Sequence, residues 1–210
     1  LMSIIEVYNT HCCGEIGDVI VSGDIKLEGE TIFKQSKYLF ENQKLRNFLL
    51  NEPRGGVFKH SNLIVPPKDT KASAGFIIME PEDNPPMSGS NSICVATVLL
   101  EKGIIEITEP ITEFFLEAPG GIIPIKAFIE NKKVSFVEIH NLPSFVDKLD
   151  AKLQTPSFGE IIVSTVFGGD SFVICNAQDF DLTIKPDNAK KFVEISKEVV
   201  REANSTLGFA

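Results

Sequence analysis

The stretch MSGSNSICVATVLLEKG, residues 87–103, predicts the central element of the fold. Between Ile93 and Leu100 it carries almost no polar side chain, and Gly103 stands where such a helix is expected to end. A helix that is apolar on every face is buried on every face, so residues 92–102 predict a helix at the centre of the molecule. Its first amide groups must then meet a cap, a water or a ligand.

The start of this predicted helix consists of Ser88, Gly89, Ser90 and Asn91. Glycine lets a ligand approach the backbone closely, and the N-terminus of a helix attracts anions. Two interpretations follow. Either Ser88 or Ser90 caps the helix with its hydroxyl, or the segment holds a small carboxylate or phosphate. The central position predicted for the helix favours the anion site.

The remaining elements follow from the spacing of the apolar residues. An interval of three to four predicts amphipathic helices over residues 31–50 and 186–207. Runs rich in Ile, Val and Phe between breakers predict strands at residues 4–8, 18–21, 63–65, 75–79, 112–116, 122–129, 134–140 and 160–166. The class is therefore α/β.

A weak internal repeat relates the two ends of the chain. Residues 10–15 (THCCGE) lead into a strand-like run, as do residues 165–170 (TVFGGD), and a long amphipathic helix follows each. This predicts two α/β halves, residues 1–118 and 119–210. The spacing from Gly14 to Ser88, applied from Gly169, leads past Ala210. We therefore expect the second half to be truncated before its own catalytic helix.

Four short segments resemble motifs of the proline racemase family, and they occur in the family's order. They are residues 10–15, similar to THxxGEP; 52–55 (EPRG); 87–91 (MSGSN), similar to MCGHN; and 167–169 (FGG). The resemblance covers nearly the whole chain. It implies a diaminopimelate epimerase-like fold, with two pseudo-symmetric α/β halves that each surround a central helix.

The resemblance also implies a chemistry. Members of the family work without a cofactor at the α-carbon of an imino acid, proline or hydroxyproline, with one catalytic residue from each half. It implies that Ser88 is catalytic. The residues implied to bind the substrate are Gly89, Ser90, Asn91 and Asp170.

This sequence departs from the family pattern at two positions. Ser88 stands where the racemase has cysteine, and Ser90 where it has histidine. A serine hydroxyl is a weaker base than a thiol unless a neighbour activates it, which argues against racemisation of proline itself. Serine at the first position is similar to members that epimerise hydroxyproline at C2 or dehydrate trans-3-hydroxy-L-proline. A cysteine as the second catalytic residue would favour the epimerase, and a threonine the dehydratase.

Other interpretations remain open. Asp170 either contacts the substrate or ends a strand, and His11 and Glu15 fit structural hydrogen bonds better than catalysis. His60 and His140 carry no signal. Another epimerase or isomerase of the same fold is one rival, and a non-catalytic carboxylate-binding fragment is another. No His and acid are placed to make Ser88 the nucleophile of a hydrolase.

Composition limits the partners. A formal net charge of −9 and the absence of a basic run argue against nucleic acid. No apolar stretch is long enough to span a membrane, and residues 1–6 do not have the pattern of a leader, so we expect a cytoplasmic protein. Because Leu1 precedes Met2, we expect Leu1 to be an added residue and not part of the natural sequence. The four cysteines and three histidines have the spacing of neither a metal site nor a disulfide framework, although Cys12 and Cys13 are adjacent. A second copy of the chain is a further candidate partner.

Overall fold

The computed structural model describes residues 4–208. They form eleven strands and four α-helices, divided into one compact unit that ends at Leu142 and a second that begins at Pro143. The predicted division lay at residues 118/119. The first unit extends further because β7 and β8 pair onward from β6 in one sheet.

The first unit contains eight strands and three helices. In chain order these are β1 (Glu6–Tyr8), β2 (His11–Cys12), β3 (Glu15–Ser22), α1 (Ile32–Glu41), α2 (Lys44–Leu50), β4 (Lys59–Val65), β5 (Ala74–Met79), α3 (Gly89–Glu101), β6 (Ile111–Ala118), β7 (Gly121–Glu130) and β8 (Lys133–Ile139). The sheet order is β1-β3-β4-β5-β6-β7-β8, and β2 pairs with β3. The β3–β4 and β5–β6 pairs are parallel, and the others are antiparallel.

Helices cover both faces of this sheet. Successive residues of a strand point to opposite faces, so Ile77 packs with the α1 side and Ile78 with the α3 side. Eight of the 13 residues of α3 are buried and none is exposed, which confirms the central helix predicted from its composition. Gly103, at φ +68°, closes it as predicted.

One predicted helix is two. The apolar spacing over residues 31–50 runs through both α1 and α2, but Asn42 lies between them at φ −93° and ψ 74°, outside the helical region. Both its backbone amide (3.0 Å) and its side-chain amide (2.8 Å) donate to the Tyr38 carbonyl, so Asn42 closes α1 with a local side-chain bond of the kind that favours helix ends.

The second unit is a three-stranded antiparallel sheet with one long helix. Its elements are β9 (Phe145–Thr155), β10 (Gly159–Phe167), β11 (Ser171–Cys175), two 3₁₀ turns (Ala177–Phe180 and Pro186–Asn188) and α4 (Ala189–Thr206). The apolar stripe of α4, with Ile195 and Val199, packs on Leu153 and Val163.

The predicted repeat has a structural counterpart in the order of elements. In each unit an antiparallel strand pair is joined through a turn whose glycine has a positive φ, +95° at Gly14 and +103° at Gly169. β3 then precedes α1, and β11 precedes α4. Only glycine takes such a φ at no steric cost, so both turns need it for the same reason.

Candidate active site

The first turn of α3 has free amide groups. Ser88 occupies the N-cap position in an extended conformation, yet its side chain makes no capping hydrogen bond. The amides of Gly89, Ser90 and Asn91 have no hydrogen-bond partner within residues 4–208. A buried helix that leaves these donors unpaired offers them, with the positive end of its dipole, to an anion.

The start of α3 is only partly open to solvent. Ser88, Gly89 and Ser90 are half-buried, and most residues of the helix behind them are buried. A Cβ on Gly89 would lie 3.2 Å from Ile139 Cδ1 of β8, so the glycine also gives room to that neighbour. A hydrogen bond made to these amides would be partly shielded from water, and such shielding strengthens it.

The Ser88 hydroxyl accepts a hydrogen bond instead of capping the helix. Asn91 Nδ2 donates to Ser88 Oγ at 2.9 Å, and Ser90 Oγ lies 3.4 Å from Ser88 Oγ. The Ser88 carbonyl accepts from both the amide (3.0 Å) and the hydroxyl (2.7 Å) of Ser92. The Ser88 carbonyl therefore takes part in the helical hydrogen bonding, and the Ser88 hydroxyl lies beside the Ser90 hydroxyl in a half-buried position.

The Asn91 side chain is held by its protein neighbours, and the predicted substrate contact of Asn91 stays a prediction. Its side chain, in a residue that is 1% exposed, is committed to the protein interior and does not face a ligand. Asn91 Oδ1 accepts from Asn62 Nδ2 at 2.8 Å, and Asn91 Nδ2 contacts Glu80 Oε1 at 3.2 Å and His60 Nδ1 at 3.3 Å. Only the backbone amide of Asn91 is left for a substrate.

The sequence interpretation missed the polar residues beneath the helix start. His60 and Asn62 lie on β4, and Glu80 follows β5. His60 Nδ1 is 3.5 Å from Glu80 Oε1 and 3.8 Å from Glu15 Oε1. A signal was present, because β4 begins with the polar run KHSN and the last two of these residues are completely buried.

A buried ion pair supports this cluster from the β3 side. Asp18, 1% exposed, accepts from Lys59 Nζ at 2.7 Å and from Asn9 Nδ2 at 2.8 Å. Its carbonyl accepts from Asn62 Nδ2 at 3.3 Å. A buried carboxylate is tolerated only when it is paired and hydrogen-bonded, as it is here.

The remaining predicted residues have local contacts. His11 Nδ1 accepts from the Gly14 amide at 3.2 Å, which is a structural bond within the turn. Asp170 lies in the second unit, where its carboxylate accepts from the Ser171 amide at 2.7 Å and its carbonyl from the Gly168 amide at 2.9 Å. A substrate contact of Asp170 stays a prediction.

The four thiols are free, and burial raises the pKa of three of them, Cys12, Cys94 and Cys175. Cys94, on the second turn of α3, is 2% exposed, and burial raises the pKa of its thiol. Residues 4–208 contain no cluster of His, Cys, Asp or Glu that could hold a metal ion. Among the same residues, no helix combines the length and the apolar character needed to cross a membrane.

The sheet arrangement and the uncapped central helix define a class, the diaminopimelate epimerase-like α/β proteins. Within it, the model of the family described as proline racemase matches residues 7–210. The chain belongs to the proline racemase family.

Two of the solved structures that are similar to this chain come from Agrobacterium species. A hydroxyproline epimerase from Agrobacterium vitis, with bound trans-4-hydroxy-L-proline, is 40% identical over 91% of this chain, with a TM-score of 0.80. A probable proline racemase from Agrobacterium radiobacter K84, with bound carbonate, is 36% identical over 97% of this chain, with a TM-score of 0.84. The aligned parts are 57% and 61% of those two chains, so this chain spans less than two thirds of either.

Proposed function

We propose that this chain supplies one half of the active site of a hydroxyproline 2-epimerase, with Ser88 on one face of the substrate's α-carbon. The observation that carries the proposal is the uncapped start of α3. A serine stands at the N-cap, its hydroxyl makes no capping bond, and three free amides follow. A similar protein, 40% identical, is a hydroxyproline epimerase with trans-4-hydroxy-L-proline bound.

The amides of Gly89, Ser90 and Asn91 suit the substrate carboxylate. When a proton leaves the α-carbon, negative charge spreads onto the carboxylate oxygens, and donors already aimed at them stabilise the transition state more than the ground state. The half-buried position of Ser88 and Ser90 keeps competing water low. In this proposal Ser90 also takes the place of the family's histidine beside the substrate, and a substrate contact of Asp170 remains a separate prediction.

Ser88 transfers the proton on its own side of the α-carbon. A serine hydroxyl ionises with difficulty, so its contribution depends on a donor that stabilises charge on Oγ. Asn91 Nδ2, 2.9 Å away, is such a donor. No step requires a cofactor.

Hydrogen exchange at the α-carbon tests the proposal. Trans-4-hydroxy-L-proline is incubated with the chain in deuterated water, and the α-proton signal is followed by NMR. We expect the signal to decay, and the S88A variant to slow the decay about 100-fold or more. The matched control, S73A, changes an exposed serine that directly precedes β5. It should leave the rate within about twofold of the parent. Binding without exchange would favour a carboxylate-binding fragment. The absence of both binding and exchange would overturn the proposal.

Dehydration of trans-3-hydroxy-L-proline is the second candidate, favoured by serine at position 88. Loss of water needs one strong base and a weaker acid to help hydroxide leave, and a serine whose oxygen accepts from Asn91 fits the acid. The same NMR experiment with the 3-hydroxy substrate separates the two candidates. An imine product without the C3 hydroxyl identifies the dehydratase, and exchange with the hydroxyl retained identifies the epimerase.

A further inference from the structure

The Asn91 side chain is held at both ends. A carboxamide has an acceptor end and a donor end of nearly the same shape, so its orientation follows from its neighbours. At the Oδ1 end lies a donor, Asn62 Nδ2, at 2.8 Å. At the Nδ2 end lie Ser88 Oγ, at 2.9 Å, and the Glu80 carboxylate, at 3.2 Å. A carboxylate only accepts, which requires the NH₂ group on that side.

Asn62 is fixed in turn by the backbone. Its Nδ2 donates to the Asp18 carbonyl at 3.3 Å as well as to Asn91, and both of these neighbours accept. Its Oδ1 is buried and has no hydrogen-bond partner within residues 4–208. An unpartnered buried carbonyl costs free energy, and the arrangement tolerates this cost so that Asn62 can present its donor to Asn91.

The alternative arrangement reverses the polarity at Ser88. If both amides rotated by half a turn, Asn91 Nδ2 would donate to Asn62 Oδ1. That oxygen would then also face the Asp18 carbonyl, another acceptor, and the Asn62 NH₂ group would take the buried position that has no partner within residues 4–208. Asn91 Oδ1 would then face the Glu80 carboxylate at about 3 Å, which is repulsive, and Ser88 would have to donate to it. The Asp18 carbonyl and the Glu80 carboxylate together therefore select the orientation in which Ser88 Oγ accepts.

We propose that Asn62 and Asn91 are positioning residues for Ser88. The Asp18 carbonyl orients the Asn62 amide, and Asn62 orients the Asn91 amide. Asn91, whose NH₂ group also faces Glu80, then donates to Ser88 Oγ. The inference rests on the proposed role of Ser88. Because Oγ already accepts from Asn91, the hydroxyl hydrogen is free to be given to a bound molecule or to Ser90. When that hydrogen leaves, the electron pair of the O–H bond stays on Oγ, where the Asn91 N–H stabilises it.

The orientation is measured directly on the unsubstituted chain. In a ¹⁵N-labelled sample, we expect nuclear Overhauser effects from the Asn91 side-chain NH₂ to the β-protons of Ser88. Effects from that NH₂ to the Asn62 side chain instead would overturn the proposal. The measurement needs no substrate, so it stands or fails separately from the proposed function, and it does not depend on a variant that folds.

A cysteine at position 88 can measure how well its surroundings stabilise a negative charge on that side chain. Only the thiolate is alkylated by iodoacetamide, so the rate at neutral pH follows how well the site stabilises an anion. In the S88C background, adding N62L removes the donor that orients Asn91 without touching position 88. We expect alkylation of that site, resolved by peptide mass spectrometry, to slow about tenfold.

The matched control is S88C with S61A. Ser61 is the residue before Asn62 on β4, equally buried, and its hydroxyl has no partner within residues 4–208. Neighbouring strand residues point to opposite faces, so this change leaves Asn91 untouched. Alkylation within about twofold of S88C is expected here. If N62L folds, as judged by its unfolding transition, and leaves the rate unchanged, Asn62 has only a structural role and the proposal fails.

Discussion

The starts of α1 and α3 use the same kind of residue in opposite ways. Thr31 and Ser88 both lie at the N-cap in an extended conformation. Thr31 Oγ1 accepts from the Lys34 amide at 3.1 Å, which is the ordinary capping bond. The Ser88 hydroxyl leaves the α3 amides alone and accepts from the Asn91 side chain.

The difference in burial between α1 and α3 explains why only the start of α3 is suited to bind a ligand. α1 is amphipathic and half exposed, so its cap competes only with water. α3 is covered on every side, and its uncapped amides have no such alternative in the part of the chain that the structure describes. When the N-cap hydroxyl of a buried helix makes no capping bond, the free amides at that helix end indicate a ligand-binding site.

The largest expected effect tests the burial of α3. Leu99 is fully buried in its last turns, and L99A removes its side chain from a packed core, so we expect a loss of about 3 kcal/mol in the free energy of unfolding. L149A makes the same chemical change at a residue that is 72% exposed and should cost less than about 0.5 kcal/mol. Urea unfolding measures both. Similar losses in the two variants would mean that α3 is not the covered helix of this comparison.

The second prediction concerns the close contact of α3 with the sheet. A Cβ on Gly17 of β3 would lie 2.8 Å from Asn91 Oδ1 and 3.0 Å from Cys94 Sγ. G17A must therefore displace the first turns of α3, and we expect a loss of about 2 kcal/mol in stability. Gly168 is the control, because its nearest neighbour to an added Cβ, Ser144 Oγ, is 3.9 Å away. G168A should stay within about 0.5 kcal/mol of the parent.

Much of this fold was readable from composition, and the exceptions have physical causes. The unbroken apolar run of α3 predicted its burial, and the family motifs predicted the fold class that the similar structures confirm. The break at Asn42 was missed because a periodic apolar pattern is silent about one local side-chain bond. β9 was missed because most of its residues are exposed, so it lacks the apolar content expected of a strand.

The site was predicted along the chain but not across it. Ser88 to Asn91 were found because they are consecutive and open a helix. Asn62 and Glu80 come from separate strands and reach Asn91 only after the sheet has formed. Sequence spacing does not encode such pairing, although a buried polar run at the start of β4 was a usable warning.

The third prediction compares the two helix starts directly. T31A removes a real capping bond and should lower the free energy of unfolding by about 1 kcal/mol. S88A removes no capping bond, and Asn91 Nδ2 keeps Glu80 and His60 as neighbours, so its cost should stay below about 0.5 kcal/mol. Chemical unfolding of the two variants decides the matter. A larger loss in S88A than in T31A would make Ser88 a structural cap after all.

The smallest expected effect is a pH dependence that arises within α3. Burial raises the pKa of the Cys94 thiol above its ordinary value of 9.0, whereas the unfolded chain exposes that thiol to water. The neutral thiol therefore contributes stability that is fully present below about pH 9. This contribution is lost as the pH rises from there through the higher pKa of the folded state, because the unfolded chain ionises first.

Unfolding titrations between pH 8 and pH 10 check this prediction with C94A, in which the alkaline loss of stability should be shallower than in the parent. Alkylation gives a second measure, since Cys94 is buried in the helix and Cys13 is exposed. Cys13 should react fully while Cys94 stays protected until the chain unfolds. If Cys94 reacts as readily as Cys13 under native conditions, the second turn of α3 opens to solvent, and the contrast between the covered and the half-exposed helix does not hold there.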